Sequence, residues 1–458
     1  MRQGILLLFI GLFMTAALQA QDVEKISLQE AIDIALDNSI ELKKESNNLE
    51  SAREQRFSST ANFFPSVNAS FSGNQNVGRQ FIESEVSFEE VTSNSLSGSI
   101  STSVPIFQGF SNILALRNSR RDVERQQNTL ERTRETVIFN AASAYLQVLL
   151  DKQLLEIDRE NLQASQQQLK QVRAQVEVGS RPTVDLYDQE STVASNELAV
   201  INQENALEIS RTQLIRTLQL DPLKTYEFAM PDVQAEDVPT TELDLQNLTE
   251  QALANRNDIR AQELLIQTLN NDLKEARYAL YPSVTASAGV STSYQDVYRA
   301  IDPETGSIGS VSFSDQFFDQ RITRFAGFSV SIPIFNNWNQ RMSIQQAEVS
   351  YKNAKLDLRD QRYAVREEVR QAYNDYRSYV KRLESSQKAL RAAERSYQTQ
   401  KQRYEVGSST LIEVSNASAR YTEAQSNLAN ALYNLIFQRK LLDYYLGQLN
   451  QDISLKQQ

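Results

Sequence analysis

Hydrophobic and polar positions along this chain follow two rhythms. Four short stretches alternate with a period of two, the mark of a strand with two different faces. In one, Leu96, Gly98, Ile100, Thr102 and Val104 oppose Ser97, Ser99, Ser101 and Ser103. In another, Val67, Ala69 and Phe71 oppose Asn68, Ser70 and Ser72. Val284, Ala286, Ala288 and Val290 oppose Thr285, Ser287 and Gly289, and Phe328, Val330 and Ile332 oppose Ser329 and Ser331. Other stretches repeat every seven residues. Leu116, Val123, Leu130, Val137 and Ala144 form a stripe that steps by four to Val148 and continues through Leu155, Leu162, Leu169 and Val176. Its copy is Ile344, Tyr351, Leu358, Val365, Ala372, Tyr376, Leu383, Leu390, Tyr397 and Tyr404, each member displaced by 228. Shorter stripes return: Leu186, Val193, Val200, Leu207 and Leu214 match Val414, Tyr421, Leu428, Leu435 and Leu442.

These rhythms predict strands at about 65–77, 95–105, 282–294 and 325–333, and long helices at about 110–178 and 337–406. Return helices follow at about 183–220 and 410–446. A strict seven-residue repeat gives a left-handed supercoil. Roughly 68 residues at about 1.5 Å each make a rod near 100 Å, longer than a compact core of this chain can hold. Ser27 caps a short helix through Leu36, followed by one over Ile40–Ala61; Asn247–Leu253 and Asp258–Leu280 look like their copies. The expected fold is mainly α with a small β part, built as two structural repeats, 21–240 and 241–447, with a tail over 448–458. Asp221–Thr240, with three Pro and several acids, reads as a connecting belt.

The polar face of the strands is nearly all Ser, Thr, Asn and Gly, as a water-filled lumen requires. Phe63, Phe64, Phe107, Phe110, Tyr281, Phe335 and Trp338 gather at the helix-side strand ends, as in the aromatic girdle of a membrane–water interface. Lipid forbids open sheet edges, and four strands cannot close around a lumen, which takes about eight. The chain must therefore oligomerise, as a dimer with eight strands or a trimer with twelve; the pattern does not choose. Val77–Asn94 and Gln295–Arg324 are expected to be polar, irregular external loops.

Residues 1–20 have a positive start at Arg2, an apolar run from Ile5 to Phe13 and a small-residue end, which reads as a signal peptide. The alternative, a membrane anchor, needs roughly 18–20 apolar residues. The chain has no Cys, which excludes a lipid-modified cysteine, disulfides and thiolate metal sites, and no His, the commonest general base. No cofactor or metal is expected. A net charge of −11 argues against a grip on nucleic acid. An enzyme using paired carboxylates fits poorly, because Asp and Glu sit mostly at heptad-exposed positions. The remaining alternative is an envelope-spanning structural coiled coil without channel activity.

Two motifs tie the copies together. Val104-Pro105-Ile106-Phe107 returns as Ile332-Pro333-Ile334-Phe335, and Val178-Gly179-Ser180 returns as Val406-Gly407-Ser408. With the run Leu428-Ala429-Asn430-Ala431-Leu432-Tyr433-Asn434-Leu435 through Leu446-Gly447, the chain resembles the outer-membrane efflux protein family, the TolC-like channels, over essentially its whole mature length. The resemblance implies a homotrimer with a twelve-stranded barrel in the outer membrane and a helical tunnel below it. It also implies docking of a periplasmic adaptor and an inner-membrane pump or secretion ATPase.

In that family the tunnel narrows where the long helices turn back, and a Tyr, an Arg and acidic residues hold the closed tip. By position, Tyr404 matches the tyrosine, Gly407 the turn and Glu413 the first acidic residue. Ser409 stands at the arginine position and Asn416 at the second acidic one, while the first copy carries Arg181, Asp185 and Asp188. For Glu413 a pore-lining ring, which attracts cations, competes with a plain helix N-terminus. For Tyr404 gating competes with heptad packing. The turns, Val178-Gly179-Ser180 and Val406-Gly407-Ser408 with their flanks to Thr183 and Thr410, are the expected adaptor contacts.

Overall fold

The computed structural model describes residues 25–82, 86–230, 243–301, 306 and 308–449. The expected signal peptide, most of the tail and part of the connecting belt lie outside them. In chain order come β1 (Lys25–Ile26), α1 (Leu28–Asn38), α2 (Ile40–Ala61), β2 (Ser66–Ile82), β3 (Ser87–Gln108), α3 (Ser111–Glu177) and α4 (Thr183–Thr217). The second half holds β4 (Glu227–Phe228), α5 (Leu245–Asn255), α6 (Asn257–Tyr278), β5 (Ser283–Gln295), β6 (Arg299–Ile301), β7 (Ile308–Ser310), α7 (Phe313–Asp315), β8 (Thr323–Ser331), α8 (Asn339–Glu405) and α9 (Leu411–Tyr445). A π-helical turn, Gln316–Gln320, continues α7. Among the described residues no helix is long and apolar enough to cross a membrane.

The two long helices have 67 residues each and the two return helices 35 each. All ten members of each long stripe are buried or half-buried, so the heptad positions are the packed ones. Ser27 caps α1 in a box with Glu30: its hydroxyl accepts from the Glu30 N–H, and the Glu30 carboxylate accepts from the Ser27 N–H.

The chain divides into two compact units, each drawing on both sequence copies. One takes residues 40–133 and 249–368 and contains an antiparallel four-stranded sheet in the order β2-β3-β5-β8. Opposite residues share a face, so Phe71 pairs with Gly98 and Gly98 with Thr292. On the other face Ser66, Ser70 and Ser72 meet Ser103, Ser99 and Ser97, with hydroxyl oxygens 3.0, 2.8 and 2.7 Å apart. The register shifts between Pro105 and Phe107, a bulge suited to a proline with no N–H to donate. Strands β2 and β8 are open edges.

The strands outrun the expectation. The hairpin β2–β3 extends to the Ile82–Ser87 pair, so 77–82 and 87–94 are ladder and not irregular loop. Its polar residues hide the period-two signal because neither face needs burial there. The second loop carries the β6–β7 hairpin and the α7 turn.

The other unit takes residues up to 39, 134–248 and 369 onward. Its core collects Ile32, Ile138, Tyr145, Leu149, Leu214 and Leu435, all nearly or fully buried. Here the belt supplies β4, which pairs in parallel with β1, Ile26 opposite Phe228. The buried Tyr145 hydroxyl lies 3.0 Å from the Ile26 carbonyl and 2.6 Å from that of Ala229, holding both short strands. Two-residue strands are too short to show a period.

Candidate functional site

The hairpin tips are built alike. After α3, Gly179 takes φ +76°; its N–H donates to the Val176 carbonyl at 2.9 Å, and that of Ser180 to Gln175 at 2.9 Å. After α8, Gly407 takes φ +75°, with Gly407 to Tyr404 at 3.0 Å and Ser408 to Arg403 at 2.8 Å. Both are Schellman ends, which need a left-handed residue that only glycine adopts cheaply. The Ser180 and Ser408 hydroxyls donate to the same two carbonyls, Gln175 and Arg403. Val178 and Val406 project into solvent, 78% and 79% exposed.

The return helices then start differently. Thr410 caps α9 in a full box: its hydroxyl accepts from the Glu413 N–H at 3.3 Å, and the Glu413 carboxylate accepts from the Thr410 N–H at 3.1 Å. The Ser409 hydroxyl also donates to that carboxylate. These donors, Ser409 foremost, hold exposed Glu413 below the ordinary carboxylate range. In the first copy Pro182 precedes α4 with no side-chain cap. Its charges pair with each other instead: Arg181 lies 3.7 Å from Asp185.

Three of the expected gate residues meet. The Arg181 guanidinium stands 4.1 Å from the centre of the Tyr404 ring, so a cation on one hairpin caps an aromatic on the other. Tyr404 is buried with Val172, Leu411 and Val414, and half-buried Val176, Leu186 and Tyr397 pack on them. This cluster draws on α3, α4, α8 and α9 together. Burial pushes the Tyr404 phenol above its usual value, against the pull of Arg181. Asp188 and Asn416 are exposed, one turn up their helices. The sequence reading missed Gln189, whose buried side chain donates to the Ser165 carbonyl at 3.0 Å and ties α4 to α3. A polar residue off the heptad stripe gave no signal.

The aromatics near the strand ends divide in two. Phe107, Phe110 and Tyr281 join Tyr278, unnoticed in the sequence, with ring centres 5.1 to 6.3 Å apart. Phe64, Phe335 and Trp338 are 66%, 75% and 66% exposed, and Phe63 is 41%. These four flank the open edges, before β2 or after β8. No cluster of side chains able to hold a metal occurs among the described residues.

A family model described as "Outer membrane efflux protein" matches residues 31–218 and 248–448, both copies of the duplicated unit. The chain belongs to the outer membrane efflux protein family. It is 26% identical over 374 residues to the outer membrane protein TolC of Escherichia coli, covering 79% of this chain and 71% of that protein. Against TolC of Salmonella enteritidis identity is 25% over 335 residues, 71% of this chain and 64% of that protein. The crystal structure of the Campylobacter jejuni CmeC outer membrane channel superposes with a TM-score of 0.78 at 18% identity, over 93% of this chain and 87% of CmeC. The efflux protein family consists of outer-membrane channels, not enzymes, and this chain is an efflux channel subunit of the outer membrane.

Proposed function

We propose that three copies close into a passive exit duct, fed by a periplasmic adaptor and an inner-membrane pump or secretion ATPase and gated at the hairpin tips. The contact of Arg181 with Tyr404 carries the gating part, because it is a charged link between the two hairpins. Separating the hairpins must break it. The family's arginine position holds Ser409, and the link is made from the opposite hairpin. Glu413, folded onto its own cap, serves the return helix first and lines a pore only as part of that cap. The exposed Val178 and Val406 suit an adaptor tip.

Ring closure rests on what the single chain leaves uncovered. Edge strand β8 leads into α8, where Met342, Val349, Leu356 and Tyr363 stand seven residues apart, 53%, 45%, 61% and 51% exposed. The first copy has Leu114, Arg121, Asn128 and Glu135 at the matching positions. An apolar heptad stripe open to water needs a partner helix. The helix entering the other edge strand is α2, with exposed Ile40 and Phe57. Pairing β8 with the next copy's β2, and α8 with its α2, makes a head-to-tail interface that closes on itself. Family resemblance sets the number at three.

The test is conductance of the purified full-length protein in planar bilayers, with its mass by light scattering. A trimer with small resting conductance, raised by Arg181→Ala, is the expected outcome. A trimer that conducts equally with and without Arg181 removes the gate assignment. Absence of any pore leaves the structural coiled coil.

A further inference from the structure

The loop after β5 does not stand clear of the sheet. Gln316, 0% exposed, holds it down: its side-chain oxygen accepts from the Gln295 N–H at 3.1 Å, and its amide donates to the carbonyls of Gln295 at 3.1 Å and Val311 at 2.9 Å. The Thr292 hydroxyl donates to the Phe317 carbonyl at 2.5 Å. A Cβ added to Gly98 would come within 3.0 Å of the Phe317 ring, so that ring lies directly on the strand where glycine leaves room. Gly98 and Thr292 are on the apolar face, the one that also carries Phe71, Ile100 and Val290.

The folded-back turn carries exposed aromatics together with Asp315 and Asp319, and the flank that follows it is basic, with Arg321 and Arg324. Phe313 stacks with Phe317 at 5.2 Å, meets Tyr294 at 5.2 Å and touches Phe318 at 6.0 Å. Phe318 is nevertheless 67% exposed and Phe313 42%. Arg321 is held over the Tyr298 ring at 4.8 Å. Arg324 pairs with Val290 and so stands on the apolar face as an exposed cation among hydrocarbon side chains. From Val284, beside Phe107, to Tyr294 the strand rises ten residues, which at about 3.4 Å each and a tilt near 40° is about 25 Å, the height of a barrel's apolar band. The turn, with Arg321, therefore sits at the far rim of that band, and Arg324, opposite Val290, lies four residues below the level of Tyr294.

We propose that this turn is a lipid-binding rim: Phe313 and Phe318 contact acyl chains, and Arg321 and Arg324 bind the phosphate of a phosphorylated lipid of the outer leaflet. Continuity with the apolar face selects lipid as the occupant, and two arginines beside exposed aromatics select an anionic headgroup. This rests on the channel reading, which puts the Ser-rich face toward the lumen.

Two measurements on the full-length trimer test it. The chain has one tryptophan, Trp338, so Phe318→Trp and Phe71→Trp in a Trp338→Phe background report each site separately. In bilayers with brominated acyl chains, both are expected to be quenched at least twofold. Quenching at Phe71 but not at Phe318 overturns the proposal and leaves the channel reading standing; quenching at neither overturns the assignment of the sheet faces. The second measurement is native mass spectrometry with phosphorylated lipid A, its dephosphorylated form and inorganic phosphate as probes. At least a tenfold preference for the phosphorylated lipid is expected, lost in R321Q/R324Q and not competed by millimolar inorganic phosphate. Equal binding by that variant overturns the headgroup assignment, and competition by free phosphate shows an anion site without lipid.

Discussion

The two hairpin tips share a turn, with its exposed valine and its serine cap, and differ in the charged groups and the helix cap that follow it. Gly179 and Gly407 have φ values one degree apart and the same pair of Schellman hydrogen bonds. Past the turn, the second copy spends its acid on itself, with Glu413 closing a box on Thr410, while the first has no cap and points Arg181 at Tyr404. Duplication thus preserved what positions the chain, and divergence acted on side chains the turn does not need. The second tip satisfies its acid within its own cap; the first pairs Arg181 with Asp185 and also sets it against the other hairpin's tyrosine, which makes it a coupling.

The difference is broken most severely at Tyr404. Removing a buried aromatic ring costs about 3–5 kcal/mol, so Tyr404→Ala should loosen all four helix ends. The matching Val176→Ala, at a half-buried position, removes about two methylenes' worth of contact, about 1 kcal/mol. Amide exchange over 165–195 and 395–420 measures both, and resting conductance should rise clearly only for Tyr404→Ala. Equal effects would make the tips equivalent. Next is Gly407→Val, which forces a β-branched residue into the left-handed region at about 1–2 kcal/mol. The same change at Gly179 should cost as much, because the backbone is the shared part.

Much of this was legible in advance, and the reason lies in which residues face neighbours. Leu116 to Val176 and Ile344 to Tyr404 must be buried on one side, so their seven-residue spacing survives in sequence and marks the helices to within two residues. Phe81 and Phe88 pair at the end of a ladder that serves no core, and the strand there left no apolar alternation to read. The tip was half legible. Glycine announced the turns, and the Thr410–Glu413 box is a local spacing of three residues that went unread, whereas the crossing of Arg181 to Tyr404 depends on side-chain geometry between segments over 200 residues apart in sequence.

A smaller effect separates the caps. Thr410→Ala should destabilise the first turn of α9 by about 1 kcal/mol, whereas replacing Pro182 removes no side-chain bond at α4. Acid sharpens this. Glu413 titrates below its ordinary value, so its contribution is present above that value and is lost as pH falls through the lowered one. Amide exchange at 411–414 should therefore accelerate on acidification below the ordinary carboxylate range, relative to the intrinsic rate. In Glu413→Gln that step should vanish. A step of the same size in the variant would place the titrating group elsewhere.

The smallest expected effect lies at the far end of the return helices. There the second copy ends on Gly447 at φ +65°, and the first reaches the same left-handed turn with Gln219 at φ +54°. The hydrogen bonds match: Gln219 N–H to Arg216 at 3.1 Å and Leu220 to Ile215 at 3.0 Å, against Gly447 to Tyr444 at 3.1 Å and Gln448 to Asp443 at 3.0 Å. A side chain in this region costs up to about 1 kcal/mol, part of which Gln219 recovers by donating from its amide to the Arg216 carbonyl at 3.0 Å. Gln219→Gly relieves the strain but loosens the unfolded chain. The net expectation is stabilisation by a few tenths of a kcal/mol, seen as a slightly raised midpoint in denaturant. Gly447→Gln should do the opposite and by more, since Gln448 follows it where Leu220 packs on the core in the first copy. If both exchanges destabilise equally, the two ends are not the same turn energetically, and the duplication has been overwritten at this end as it has at the hairpin tips.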